Sequence, residues 1–226
     1  MKGRKHEFMK KIIITSQKGG SGKTMLAAHL SVESERAGDG PAWLIDTDKQ
    51  GTLSRWHERR KAEAPQMGQV PFAQLKTGLD VLAKKHGGAL CFIDTSPTIS
   101  DQTAARVALA DLVVIPVRPS PSDLWAVSET VELVRAASKP FIFVITQAKP
   151  QASITAQAVA ALSQHGRVAQ AFIADRVAYA AAMTGGNTAP ELAAKGPAAT
   201  EIATLWQELK SCFHESMKTA RGAHNG

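Results

Sequence analysis

The chain of 226 residues is 44% hydrophobic and 21% charged, which excludes a disordered segment and suffices for one sizeable core. No apolar run approaches the ~20 residues of a transmembrane helix, and Ile12, Ile13 and Ile14 are too short a run for a secretory signal. A formal net charge of +7 favours an acidic partner, nucleic acid first, whereas aromatics at 5% offer little surface for stacking single-stranded bases.

Compact apolar runs at 11–15, 42–45, 89–93, 112–117 and 141–145 are short, and several are rich in Ile and Val, as strands buried on both faces are. Residues 62–68 read as a surface loop. Further strands are expected near 69–72 and 168–173. Leu124, Val127, Val131 and Val134 repeat at helical spacing, as do Ile202, Leu205, Trp206, Leu209 and Phe213. This alternation predicts an α/β fold, a mostly parallel twisted sheet with helices on both faces. Residues 1–226 read as one domain with loose ends at 1–10 and 218–226. Cys91 and Cys212 make neither a disulfide framework nor a metal cluster, which fits a reducing cytoplasm.

Between the first strand and the following helix lies KGGSGKT, Lys18 to Thr24. Gly19, Gly20 and Gly22 let backbone N–H groups close around phosphate oxygens, and the helix behind points its positive end at them. Lys23 would neutralise the outer phosphates and the Thr24 hydroxyl would ligand Mg²⁺. The general pattern G-x-x-x-x-G-K-[ST] requires glycine where Gln17 stands, and Lys18 follows at once. One lysine is enough to hold a phosphate, so a second at the loop's opening invites another role, such as reaching a neighbouring subunit's nucleotide.

Carboxylates end two further strands. In WLIDTDKQG, Asp46 and Asp48 sit at the carboxyl end, where open α/β sheets bind ligands, and alternate residues share a face. A carboxylate facing a γ-phosphate can orient or deprotonate the attacking water. In LCFIDTSP, Asp94 closes an apolar strand in the Walker B manner, a position that holds Mg²⁺, commonly through water.

Together these segments resemble the ParA/MinD family of P-loop ATPases, whose deviant Walker A motif is KGGxGK[ST]. The resemblance runs from about residue 11 to 202 and into the terminal helix. It is nearest to short ParA-type proteins without an N-terminal DNA-reading domain. It implies ATP and Mg²⁺ as cofactors, with Lys18, Gly19, Gly20, Ser21, Gly22, Lys23, Thr24 and Met25 around the phosphates. Lys18 would cross a dimer interface to the partner's phosphates. Met25 stands where many relatives carry a hydroxyl residue. From the family pattern D-x-D-P-Q, Asp48 serves hydrolysis and Asp46 supports Mg²⁺ through water, Lys49 replacing the proline. Thr24, Asp46 and Asp94 are thus the implied metal set, with Thr95 and Ser96 as switch residues. DLVVIPVRPSPSDLWA resembles the strand and loop that help form the family's dimer. Where relatives carry an asparagine that recognises adenine, this chain has Thr146 and Gln147, and Arg176 borders the base or the interface.

The implied function is an ATP-sandwich homodimer that binds DNA without sequence preference. A ParB-like or other adaptor would stimulate hydrolysis, and a plasmid, chromosome region or protein complex would be segregated or positioned over the nucleoid, in the cytoplasm. Two alternatives stay open: a metabolic ATP-dependent ligase or synthetase, and a MinD-like membrane-surface regulator. The last ten residues, MKTARGAHNG, lack the apolar face that membrane attachment needs. Residues 1–11 carry a net charge of +4 and residues 49–85 a net +5. RWHERRK reads as a solvated helix face, and Lys195, Lys210, Lys218 and Arg221 are candidates for contacting DNA phosphates.

Overall fold

Among the described residues six strands pair in parallel to form one sheet: β1 (Lys10–Ile14), β2 (Ala42–Asp46), β3 (Gln66–Met67), β4 (Leu90–Asp94), β5 (Leu112–Val117) and β6 (Phe141–Ile145). Their order is β3-β2-β4-β1-β5-β6, which places β1 between β4 and β5 at the middle. The helices are α1 (Lys23–Arg36), α2 (Thr52–Glu58), α3 (Leu75–Lys85), α4 (Asp101–Val107), α5 (Pro121–Trp125), α6 (Val127–Ala136), α7 (Ser153–Ser163), α8 (Val177–Thr184), α9 (Ala189–Leu192) and α10 (Pro197–Gly222). This computed structural model describes residues 8–98, 101–149 and 151–222.

Successive strand residues point to opposite faces, and the apolar runs supply a core on each. Ile12 and Ile14 of β1 join Leu26 and Leu30 of α1 and Ile202, Leu205, Trp206 and Leu209 of α10. Ile13 between them belongs to the other face, with Leu75 and Leu79 of α3 and Val127, Val131 and Val134 of α6. The two helical repeats read from the sequence therefore cover opposite sides of one sheet. The first repeat is broken at Ala126, which ends α5 and starts α6.

Two expected strands differ. The stretch 168–173 and the residue after it make only isolated parallel bridges, Phe143 with Val168 and Ala148 with Ala174. Two of its backbone donors are captured sideways, the N–H groups of Gln170 and Ala171 donating to the Glu208 carboxylate of α10 at 2.8 and 2.7 Å, whereas Ala169 and Ile173 N–H donate to Phe143 and Ile145 of β6. A charged acceptor there competes successfully with the ladder. The strand expected near 69–72 lies earlier, as β3 at the sheet edge within the expected loop 62–68, and a 3₁₀ turn begins at Phe72. At the C-terminus, α10 continues to Gly222, past the expected onset of a loose end at 218. Residues 1–7 and 223–226 of the expected loose ends lie outside the described residues.

Parallel pairing brings the strand ends together. In register, Ile14 lies opposite Asp94 and Asp94 opposite Asp46. The loops after β1, β2, β4, β5 and β6 consequently meet at one carboxyl edge, where an open α/β sheet forms its binding crevice.

Candidate functional site

The loop after β1 is built around backbone conformations that glycine alone adopts cheaply. Gly20 has φ +73° and Gly22 φ +92°, both left-handed. Gly22 is the N-cap of α1, and Leu26 N–H closes the first helical turn on its carbonyl at 2.9 Å. No acidic residue occupies the first turn, so the helix presents an uncompensated positive end to the loop.

The loop is braced from four sides. Ser16 and Ser21 share a buried hydroxyl–hydroxyl hydrogen bond of 2.6 Å. Gln17, which departs from the general glycine pattern, donates to the Glu129 carboxylate of α6. From the end of β6, fully buried Thr146 donates its hydroxyl to the Ser21 carbonyl at 2.8 Å. Beside it, Gln147 adopts φ +50°, rare for a side-chain-bearing residue, and donates to the Gly20 carbonyl at 2.8 Å. The polar groups of Thr146 and Gln147, expected at the base, are thus turned onto the loop. This was hidden in the sequence, where only their position after an apolar strand was visible.

The two lysines differ in setting. Lys23 is buried and donates to the Lys18 carbonyl at 3.0 Å, folding over the loop from inside. Burial lowers its pKa, partly countered by the negative charges of Asp94 and Asp48. Lys18 is half-buried at the rim beside exposed Gly19 and Gly20, and no hydrogen-bond or ion-pair partner meets its ammonium among the described residues.

Three carboxylates face this loop. Asp94 is 1% exposed, and burial, aided by the neighbouring charge of Asp46, pushes its pKa up to about 7. One of its oxygens accepts the Thr24 hydroxyl at 2.6 Å, while Oδ1 is buried without a partner. A buried, unsatisfied carboxylate oxygen beside a threonine hydroxyl is an oxygen donor set suited to a hard divalent cation. Asp46 accepts from Ser54 N–H (2.9 Å), Ser54 Oγ (3.0 Å) and Asp48 N–H (3.0 Å), so it organises the loop that carries Asp48. Asp48 is half-buried, and its Oδ1 accepts Gln50 N–H at 3.0 Å. Thr95, expected as a switch residue, is fully buried and donates to the Ile14 carbonyl at 2.9 Å, so its hydroxyl belongs to the sheet. Ser96 is half-buried.

A cavity of about 260 Å³ opens beside the loop, lined by Gly22, Met25, Thr146, Ile173, Tyr179 and Met183 among others. Arg176 and Gln147 also border it. Arg176 is fixed by Glu201, donating from Nε at 2.8 Å and Nη2 at 2.6 Å. Glu201 also accepts the Tyr179 hydroxyl at 2.6 Å. The cavity is mostly apolar and adjoins the phosphate loop, as a site for a flat heterocycle joined to phosphates requires.

The basic residues are sorted by burial. Arg60 of the RWHERRK run is not a solvated residue: it pairs with Glu191 at 2.9 Å, donates to Gly186 and Ala64 carbonyls, and covers the Trp56 ring at 4.8 Å. Arg55, Arg59 and Lys61 of that run are exposed, as is Lys195. Lys210 pairs with Asp39 at 2.8 Å. The side chains of Lys218 and Arg221 lie outside the described residues. No described helix is long and apolar enough to cross a membrane.

Known proteins share this arrangement. A family model described as the CobQ/CobB/MinD/ParA nucleotide binding domain matches residues 12–189. The maintenance of carboxysome distribution protein A of Halothiobacillus neapolitanus is 26% identical over 209 residues, covering 88% of this chain and 95% of the relative. Protein ParA of Rhizobium radiobacter is 26% identical over 125 residues, 54% of this chain and 55% of that protein. Among solved structures, the ATP complex of a Cyanothece McdA variant superposes with a TM-score of 0.74 at 18% identity, covering 92% of this chain and 97% of the other. The family model spans most of the chain and its matched segment contains the loop, both aspartate strands and Thr146; this chain therefore belongs to the CobQ/CobB/MinD/ParA nucleotide-binding family of P-loop ATPases.

Proposed function

We propose that this ATPase positions a cargo over DNA, joining two copies face to face around ATP and separating them on hydrolysis. The observation that carries this reading is the pair of lysines. Lys23 alone closes the loop of its own chain, which leaves the unpaired ammonium of Lys18 at the rim for the phosphates of a second copy. In this scheme the whole chain acts as one domain. The N–H groups of Gly19, Gly20, Ser21 and Gly22, with Lys23, would hold the triphosphate, while Met25, Thr146, Gln147 and Arg176 surround the base cavity. Thr24 and Asp94 would hold Mg²⁺, with Asp46 behind them, and the ion supplies charge neutralisation between the phosphates when bound. Asp48 would orient the attacking water, its backbone set by Asp46.

Nucleotide acts as the switch because only a triphosphate gives both Lys18 side chains something to bridge. Exposed Arg55, Arg59, Lys61 and Lys195 are available for DNA phosphates, which makes binding salt-sensitive and indifferent to sequence. The similarity to a carboxysome-distribution protein and to a ParA protein supports a cargo-positioning role on the nucleoid, with a cargo-bound adaptor that stimulates hydrolysis. The test is the ATPase rate with and without DNA, together with DNA retention across an ionic-strength series. DNA-stimulated turnover and retention that collapses with salt are expected. Turnover that ignores DNA and needs a small acceptor substrate would place the chain with the family's synthetases instead.

A further inference from the structure

We propose that Arg118 is a third cationic ligand of the nucleotide phosphates, held over the phosphate loop by the buried carboxylate of Asp123. This rests on the reading of the loop as a triphosphate site. Arg118 follows β5, at the same carboxyl edge as the loop. Its guanidinium is gripped along one side only: Nε donates to Asp123 Oδ1 at 2.9 Å and Nη2 to Oδ2 at 3.0 Å. The remaining nitrogen, Nη1, faces the loop, where a Cβ added to Gly20 would lie 3.5 Å from it. Among the described residues no acceptor is hydrogen-bonded to that nitrogen, so its two N–H groups are directed at the rim without protein partners.

The support for this orientation is stronger than a surface ion pair needs. The Asp123 side chain is 2% exposed while that of Arg118 is 31% exposed. Asp123 also accepts the Ser120 hydroxyl at 2.7 Å, and Ser120 caps α5. Burial by itself would raise the Asp123 pKa, but the hydrogen bonds from Arg118 and Ser120 outweigh it and hold the carboxyl below its usual range. A bidentate grip fixes the plane of the guanidinium and so aims the free edge.

Electrostatics point the same way. The charge of Arg118 is felt by buried Lys23, whose charged form it disfavours, and Lys18 stands unpaired nearby on the loop. Three cations are thus gathered around the loop: Asp123 balances Arg118, the charges of Asp94 and Asp48 partly offset that of Lys23, and Lys18 has no partner among the described residues. An anion with several oxygens relieves that repulsion, and a polyphosphate is the ligand that the glycine loop already fits. Gly20 matters here through its left-handed φ, which lets the loop pass beside the guanidinium in a conformation that a side chain would strain.

The experiment is titration calorimetry with ATP on the wild type, Arg118→Ala and the double variant Arg118→Ala/Asp123→Ala, with Lys23→Ala as the control and the melting temperature of each nucleotide-free protein recorded. The double variant is needed because the single one strands a buried carboxylate. ATP affinity is expected to fall roughly ten- to hundred-fold in both Arg118 variants, as loss of a charge-assisted hydrogen bond predicts. A melting temperature that drops while ATP affinity stays within twofold would show that Arg118 only braces α5, and would overturn the assignment. Affinity lost in the single variant and restored in the double one would overturn it as well. Loss confined to Lys23→Ala would sink Arg118 alone, whereas a wild type that binds no ATP would sink the triphosphate reading and this assignment with it.

Discussion

His29 ties the phosphate-loop helix to the start of α9 in a way that only a neutral ring permits. It is fully buried on α1, one turn beyond Met25. Its Nδ1 lies 2.9 Å from the Met25 carbonyl and its Nε2 lies 3.0 Å from Ala189 N–H at the start of α9. The first contact requires Nδ1–H and the second a bare Nε2, so the tautomer is fixed. Tyr179 packs edge-on at 5.2 Å. Burial lowers the ring's pKa from 6.5 to about 4. The folded state therefore resists protonation while the unfolded chain accepts it. The stability owed to the neutral ring is fully present above pH 6.5 and is lost as pH falls toward 4. Between pH 7.5 and pH 5 the wild type should lose about 2 kcal/mol from this group. Urea unfolding of the wild type and of His29→Gln at both pH values isolates it, since other titrating groups are common to both proteins. The wild type should show the larger acid penalty by that amount. Equal penalties in the two proteins would refute the neutral bridge.

Other substitutions separate the roles of the site residues. Asp48→Ala should retain ATP affinity within a few-fold and lower single-turnover hydrolysis by roughly 10²–10⁴, and wild-type turnover would remove Asp48 from water activation. Thr146→Val keeps shape but deletes the donor to the buried Ser21 carbonyl, so thermal melting should report a loss of about 1–3 kcal/mol that Thr146→Ser largely restores. Arg60→Ala strips a side chain that is 2% exposed from Glu191 and Trp56. It should cost about 1–3 kcal/mol in urea unfolding, more than removal of exposed Arg55, which a solvated-face reading of both would not predict.

Much of this was legible because the signals are local. The five long strands follow from short apolar runs, and the register that sets Asp46 beside Asp94 follows from where those runs end. The phosphate loop is compact in sequence, so its glycines, Lys23 and Thr24 could be read together. What escaped depends on contacts between distant segments. Glu208 and Glu201 take the backbone donors of Gln170, Ala171 and Ala174 while Ala169 and Ile173 donate to β6, and nothing in that stretch announces acceptors some 30 residues away. Arg60 sits in a charge-rich run that resembles a solvated face, yet its partners come from 186 to 191. Thr146 and Gln147 occupy a base-reading position by analogy, but their own geometry commits them to the loop. Arg118 and Asp123 did carry a signal: an arginine directly after an apolar strand, with a serine-capped aspartate five residues on.

The most direct measurement is sedimentation equilibrium of Lys18→Ala and wild type in a saturating non-hydrolysable ATP analogue, with analogue binding verified for each. The wild type should double its mass, whereas the variant should bind the analogue through Lys23 and its own loop yet stay a monomer. A variant that dimerises as the wild type does would contradict the shared-triphosphate interface on which the positioning cycle depends.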